Sequence, residues 1–119
     1  AADSNSLKLC QEEIFGPVLS VLKFKDDEEA IQMANQTEYG LASAVWSQDI
    51  KRSLRVAKRL QAGQVWINQY MLMNPFMPHG GFKQSGYGKD LSKYCLHEYT
   101  QIKNVYVDLS EDEFLCLYD

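Results

Sequence analysis

Residues 41–68 read LASAVWSQDIKRSLRVAKRLQAGQVWIN, and the class of fold is decided here. Leu41 to Trp46 is short, apolar and bounded by Gly40 and Ser47, so it reads as a strand. Asp49 stands where a helix N-cap belongs, because its carboxylate accepts a backbone N–H that the first helical turn leaves unpaired. Ile50, Leu54, Ala57 and Leu60 recur at spacings of four, three and three, which puts them on one helical face. Lys51, Arg52, Arg55, Lys58 and Arg59 fall largely on the other faces. They read as a solvated surface with cations toward the helix C-terminus, an anion-binding patch being the functional alternative. Gly63 is placed as the residue just past the helix, and Gln64 to Asn68 reads as a further, buried strand.

Working outward, Val18 to Phe24 is rich in Val and Leu, follows the Gly16-Pro17 breaker and is predicted as a strand. Asp26 offers another N-cap, with Glu29 as its capping-box partner and a helix through Ala30, Ile31 and Ala34. Gly40 marks the end of that helix or the turn beyond it. Downstream, Gln69 to Gly88 contains Pro75, Pro78, Gly80, Gly81, Gly86 and Gly88 and cannot be one regular element. An irregular stretch of that length inside a domain is usually functional. Lys89 to Tyr99 is predicted as a short helix. Val105, Val107 and Leu109 alternate with Tyr106 and Asp108, the period of a half-buried strand. The tail, Ser110 to Asp119, mixes acids with Phe114, Leu115 and Leu117 and carries no assignment. Strand-like and helix-like stretches alternating between turn signals make an α/β domain.

The 119 residues suit one domain, and a 45% share of aliphatic and aromatic residues is globular. A formal charge of -4, without a basic stripe interleaved with aromatics, argues against nucleic acid. No apolar run approaches the roughly 20 residues that span a bilayer, and Ala1 to Lys8 has no secretory pattern. Cys10, Cys95 and Cys116 are odd in number, with no CxxC and no His at ligand spacing. No metal site is expected, and three unpaired thiols fit a reduced, cytoplasmic setting.

Three segments carry a resemblance. They are Glu12-Glu13-Ile14-Phe15-Gly16-Pro17-Val18, Gly63-Gln64-Val65-Trp66-Ile67-Asn68, and Pro78-His79-Gly80-Gly81-Phe82-Lys83-Gln84-Ser85-Gly86-Tyr87-Gly88. Each is similar to a signature of the aldehyde dehydrogenase superfamily, and they stand in that family's order and spacing across Leu7 to Leu109. The resemblance implies an α/β fold with a parallel sheet and flanking helices, and sheet order rests on it alone. It implies that residues 1–100 form the C-terminal part of a catalytic domain. Residues 101–109 would form an oligomerisation strand, with 110–119 a tail of unknown structure. In this family a cysteine thiolate attacks the aldehyde, hydride passes to NAD or NADP, and an activated water releases the acid. The nucleophile, the general base and the Rossmann-type unit lie upstream of the first segment in the family. No catalytic residue is therefore assigned here, and the chain alone is expected to be inactive and to bind the cofactor weakly or not at all.

Glu13 matches the glutamate that binds the hydroxyls of the nicotinamide ribose, where an ionised carboxylate accepts two hydrogen bonds from a vicinal diol. Phe15 matches a residue beside the nicotinamide, with a packing anchor under the Gly-Pro turn as the alternative. The stretch from Tyr70 to His79 corresponds to the variable wall of the aldehyde pocket, and Met73, Phe76 and His79 are its candidate lining. Loop residues covering a core are the alternative for these three. Pro-His-Gly-Gly looks most like enzymes of the 4-aminobutyraldehyde and betaine-aldehyde group. His79 stands where many betaine-aldehyde enzymes carry a large aromatic suited to a quaternary ammonium, which favours an amino-aldehyde. None of the three cysteines sits in the small-residue loop the family uses, so each reads as an incidental thiol. Two rivals stay open: an interaction module that assembles with an intact aldehyde dehydrogenase, and a degenerate product without a role. Homo-oligomerisation through Lys103–Leu109 is expected in the first reading.

Overall fold

The computed structural model describes residues 4–109; the tail assigned to 110–119, with Cys116, lies outside the described residues. One helical turn, α1 (Lys8–Gln11), is followed by residues 12–25 without regular structure. Asp26 Oδ1 then accepts the Glu29 N–H at 2.9 Å and opens α2 (Asp27–Asn35), as its capping signature requires. The reciprocal bond differs in one respect: Glu29 Oε2 accepts from Lys25 N at 2.6 Å rather than from Asp26. Two short strands follow, β1 (Tyr39–Gly40) and β2 (Ala42–Val45). Asp49 Oδ1 accepts the Arg52 N–H at 3.1 Å to start α3 (Ile50–Ala57), and β3 (Gln64–Ile67) returns beside β2. The chain closes through β4 (Phe82–Lys83), a 3-10 turn (Lys93–Cys95) and α4 (Leu96–Tyr99).

β2 and β3 pair in parallel, Ala42 opposite Gln64 through Val45 opposite Ile67, with α3 as the crossover. The strand, helix and strand are those expected from residues 41–68, and the parallel pairing is what the resemblance implies. The wider parallel sheet is not present among the described residues. β1 pairs instead with β4, antiparallel, so the fold is mixed α/β with two small sheets. Val18 to Phe24 forms no strand, and Val18, Leu19 and Phe24 are exposed. Lys103 to Leu109 likewise forms no strand, and residues 101–109 are all exposed. The reason is common to both: alternation prepares a strand, but a strand exists only when a neighbour accepts its backbone hydrogen bonds. The last helical segment begins at Lys93 instead of Lys89, because Asp90 is taken up in a backbone pair with His79.

Ile31 and Trp66 are the buried apolar side chains among the described residues. Ser53 is the fully buried residue of α3, and its hydroxyl donates to Asp49 O at 3.1 Å. The apolar face of α3 is wider than what covers it: Leu60 is half-buried, whereas Ile50 and Leu54 stay exposed. The Cα radius of gyration, 22.6 Å, exceeds the roughly 13 Å of a compact domain of about this length.

The cations on and just past α3 are exposed, as a solvated face requires, and three of them are also paired. Arg52 and Arg55 both hold Asp27, at 2.8 Å for Arg55 Nη2 to Oδ2, and Arg59 pairs with Glu28. The Arg52 and Arg55 hydrogen bonds hold the Asp27 carboxyl below its usual range, and Arg59 does the same for Glu28. Among the described residues Lys51 and Lys58 join no such pair.

Two glycines read as helix punctuation do other work. α2 ends at Asn35 and α3 at Ala57, so neither Gly40 nor Gly63 ends a helix. A Cβ on Gly40 would stand 2.5 Å from Gln61 O, and one on Gly63 only 1.7 Å from Gly80 O. Both positions serve close backbone approach.

Candidate cofactor and substrate site

Tandem glutamates follow α1, and the structure distinguishes them. Glu12 caps the turn and pairs with Lys8 at 3.5 Å, the i,i+4 neighbour on the helix. Glu13 has no hydrogen bond or ion pair among the described residues. Its exposed carboxylate borders a cleft with Asn35, Thr37, Tyr39, Tyr70 and Ser85. A free carboxylate beside hydroxyl-bearing and amide side chains is a donor-accepting set that fits a sugar diol. Phe15, two residues on, is 98% exposed. Among the described residues its ring is not packed as an anchor under the Gly-Pro turn.

The glycine-rich segment that closes the cleft is a latch. Ser85 Oγ accepts the Gly40 N–H at 2.9 Å, Gln84 N donates to Glu38 O at 2.9 Å, and Lys83 Nζ donates to the Asn35 and Thr37 carbonyls. Those two carbonyls lie at the C-terminal end of α2, where a cation complements the helix dipole. Lys89 Nζ donates to Gly81 O at 2.9 Å and lies 5.2 Å from the Phe82 ring centroid. Ser85 Oγ, Lys83 Nζ and Lys89 Nζ are thus engaged with the chain's own backbone.

Trp66 organises the opposite wall. Its Nε1–H donates to Leu72 O at 2.9 Å, and its ring meets Tyr70 edge-on at 5.1 Å. Asn68 extends the β3 ladder with its N–H on Val45 O and clasps Ser47 through both amide atoms. It does so at a φ of 55°, a left-handed conformation that Asn tolerates well. From these two anchors the chain runs to Met73, Phe76 and His79.

The structure brings two of those three together. Gln64 at the start of β3 holds His79 Nδ1 at 2.8 Å through Oε1, and its Nε2 lies 3.9 Å from Met73 Sδ. Phe76 is 84% exposed and borders a separate hollow with Leu91, Tyr94 and Cys95. Gln64 was not singled out from the sequence, and only its place inside the Gly-Gln-Val-Trp-Ile-Asn segment could have drawn attention to it. Tyr70 and Ser85, on the Glu13 cleft, were equally unmarked. Among the described residues no group of three or more His, Cys, Asp or Glu is placed to hold a metal, and no helix is long and apolar enough to cross a membrane.

Comparison with known proteins gives a uniform result. Residues 2–105 match the model of the aldehyde dehydrogenase family. An aldehyde dehydrogenase of Emericella nidulans is 49% identical over 111 residues, covering 93% of this chain and 22% of the relative. The betaine aldehyde dehydrogenase of Bacillus subtilis is 52% identical over 103 residues, covering 87% of this chain and 21% of that one. The NAD+ complex of an aldehyde dehydrogenase from Bacillus cereus superposes with a TM-score of 0.84 at 48% identity, over 90% of this chain and 22% of that chain. The chain thus spans about a fifth of the length of the relatives it matches.

Proposed function

The chain belongs to the aldehyde dehydrogenase family, and from that premise we propose that it serves as the C-terminal part of an NAD(P)-dependent enzyme that oxidises an aldehyde, preferentially an amino-aldehyde, to the acid. The observation that carries the reading is the family match across residues 2–105. The NAD+ complex of the Bacillus cereus relative supports the cofactor. When bound, that cofactor supplies the hydride acceptor. This chain's residues would bind and orient: Glu13 accepts from the ribose hydroxyls, and Phe15 limits where the nicotinamide sits. Met73, Phe76 and His79 would shape the aldehyde pocket. The carboxyl of Glu13 suits this role because no protein group competes for it among the described residues.

We place no catalytic group in this chain, so on its own it should not turn over aldehyde. The free thiols of Cys10 and Cys95 support a reducing, cytoplasmic setting. One observation favours assembly as part of the role. Ile102, Val105, Tyr106, Val107 and Leu109 are between 69% and 94% exposed in a segment that alternates like a strand. Residues 101–109 would then gain their partner in a homo-oligomer, or on an intact aldehyde dehydrogenase if the chain acts as an interaction module.

The test is a chimera in which residues 7–109 replace the corresponding segment of the Bacillus subtilis enzyme. NAD-dependent oxidation of an amino-aldehyde by the chimera, and none by the isolated chain, is expected. A folded chimera that binds NAD but oxidises no aldehyde would refute the enzymatic reading. Recovery of the chain bound to a full-length relative would then favour the interaction module.

A further inference from the structure

Gln64 is the residue on which His79 and Met73 converge, and its geometry decides which nitrogen of His79 carries hydrogen. We propose that Gln64 is a positioning residue that fixes His79 as its Nδ1–H tautomer, and so makes the aldehyde pocket select substrates bearing an N–H at their far end. The selectivity half rests on the reading of His79 as pocket wall.

Gln64 Nε2 is directed at Met73 Sδ, 3.9 Å away, and thioether sulfur accepts but does not donate. The amide oxygen therefore faces His79 Nδ1 at 2.8 Å. An amide oxygen only accepts, so Nδ1 must supply the hydrogen, and in a neutral imidazole Nε2 is then the acceptor. Among the described residues Nε2 has no hydrogen-bond partner. Both side chains are held from behind. His79 exchanges two backbone hydrogen bonds with Asp90, at 2.8 and 2.7 Å, and Gln64 N donates to Leu41 O at 3.2 Å at the head of the parallel ladder. Both residues are half-buried, which limits the competition of water for the pair.

A free imidazole lone pair accepts from the N–H of a primary ammonium. A quaternary ammonium has no N–H to offer and is better held by an aromatic face. The same His79 with hydrogen on Nε2 would present a donor to either cation and favour neither. The choice of tautomer is thus a choice of substrate, made by a residue one shell behind.

Two measurements test this. The first is long-range 15N–1H NMR of the labelled chain at a pH near 8.5, where an ordinary imidazole is neutral; His97→Gln assigns the two rings. His79 is expected as Nδ1–H, Gln64→Leu should move the hydrogen to Nε2, and Gln64→Glu, which keeps an acceptor, should leave it on Nδ1. The second is kinetics in the chimera: Gln64→Leu should raise KM for a primary amino-aldehyde about tenfold, the scale of one hydrogen bond to a charged group. It should leave kcat, and both constants for a trimethylammonium aldehyde, unchanged, and Gln64→Glu should restore the low KM. An Nε2–H ring in the unaltered chain would overturn the inference and leave the pocket reading standing; that measurement needs no variant to fold. The expected tautomer combined with no substrate-dependent change in KM would overturn the selectivity and the placement of His79 in the pocket together.

Discussion

Substituting Gly63 with alanine adds one methyl group at the point where β3 begins. That methyl would stand 1.7 Å from Gly80 O and 2.8 Å from Gly80 C, whereas real Cβ atoms essentially never come within 3.0 Å of such a neighbour. The two segments must separate by more than an ångström, and neither obstacle is a flexible side chain. Forcing extra volume into a packed site costs about 1–3 kcal/mol. Gly63 N donates to Gly40 O at 3.0 Å and Gln64 N to Leu41 O at 3.2 Å, and both bonds weaken if the backbone shifts. Each is worth about 1 kcal/mol net, so a total near 2–4 kcal/mol is expected. Urea unfolding followed by Trp66 fluorescence in a Trp46→Phe background measures it, because Trp46 is 64% exposed and Trp66 buried. With an m-value near 1.5 kcal/mol/M, Gly63→Ala should lower the midpoint by roughly 2 M without changing m. Gly16→Ala is the matched control: nothing lies within 4 Å of the added methyl, and a small gain from a less flexible unfolded chain is expected. If Gly63→Ala unfolds at the same midpoint as Gly16→Ala, the close approach of Gly63 to Gly80 is wrong, and with it the latch beside the cleft.

Three other outcomes follow from the geometry. Asp27, held by Arg52 and Arg55, has its pKa lowered from 3.8. Its contribution is therefore present above that unfolded value and lost as pH falls through the folded one. Urea midpoints of the unaltered chain should drop as pH falls below about 4, while Asp27→Asn should be less stable at pH 7 and flatter across that window; equal slopes would contradict the pairing. Asn68→Ala removes both contacts to Ser47 and leaves a left-handed φ on alanine, so calorimetry or urea unfolding should show a loss of about 2 kcal/mol. Glu13→Gln should raise KM for NAD about tenfold in the chimera while leaving its melting temperature unchanged. A melting shift without a KM change would make Glu13 structural instead.

How much of the site was legible varies with what each residue depends on. Glu13 was singled out by a local motif, and its neighbour Glu12 is the one that pairs with Lys8. Gln64 was not visible, because its importance arises from two residues 9 and 15 positions away that a folded loop brings to it. Phe76 shows the same limit in reverse: it stands between Met73 and His79 in the chain, yet the turn after Asn74 sends it to Tyr94 and Cys95.

The sequence by itself determined the caps at Asp26 and Asp49, the helices they open, and the existence of a strand on either side of α3. Those features are set by interactions and composition within a few residues. Only the tertiary structure decided the rest. Val18–Phe24 and Lys103–Leu109 have the composition or alternation of strands, but a strand needs a backbone ladder beside it, and neither segment is part of a strand in the structure. Gly63 looked like a helix stop until Gly80 was seen against it. The pairing of the exposed Arg52, Arg55 and Arg59 was not visible until α2 placed Asp27 and Glu28 in front of them. In each case the deciding partner is distant in sequence, and its approach is fixed by packing rather than by any local preference of the residue itself.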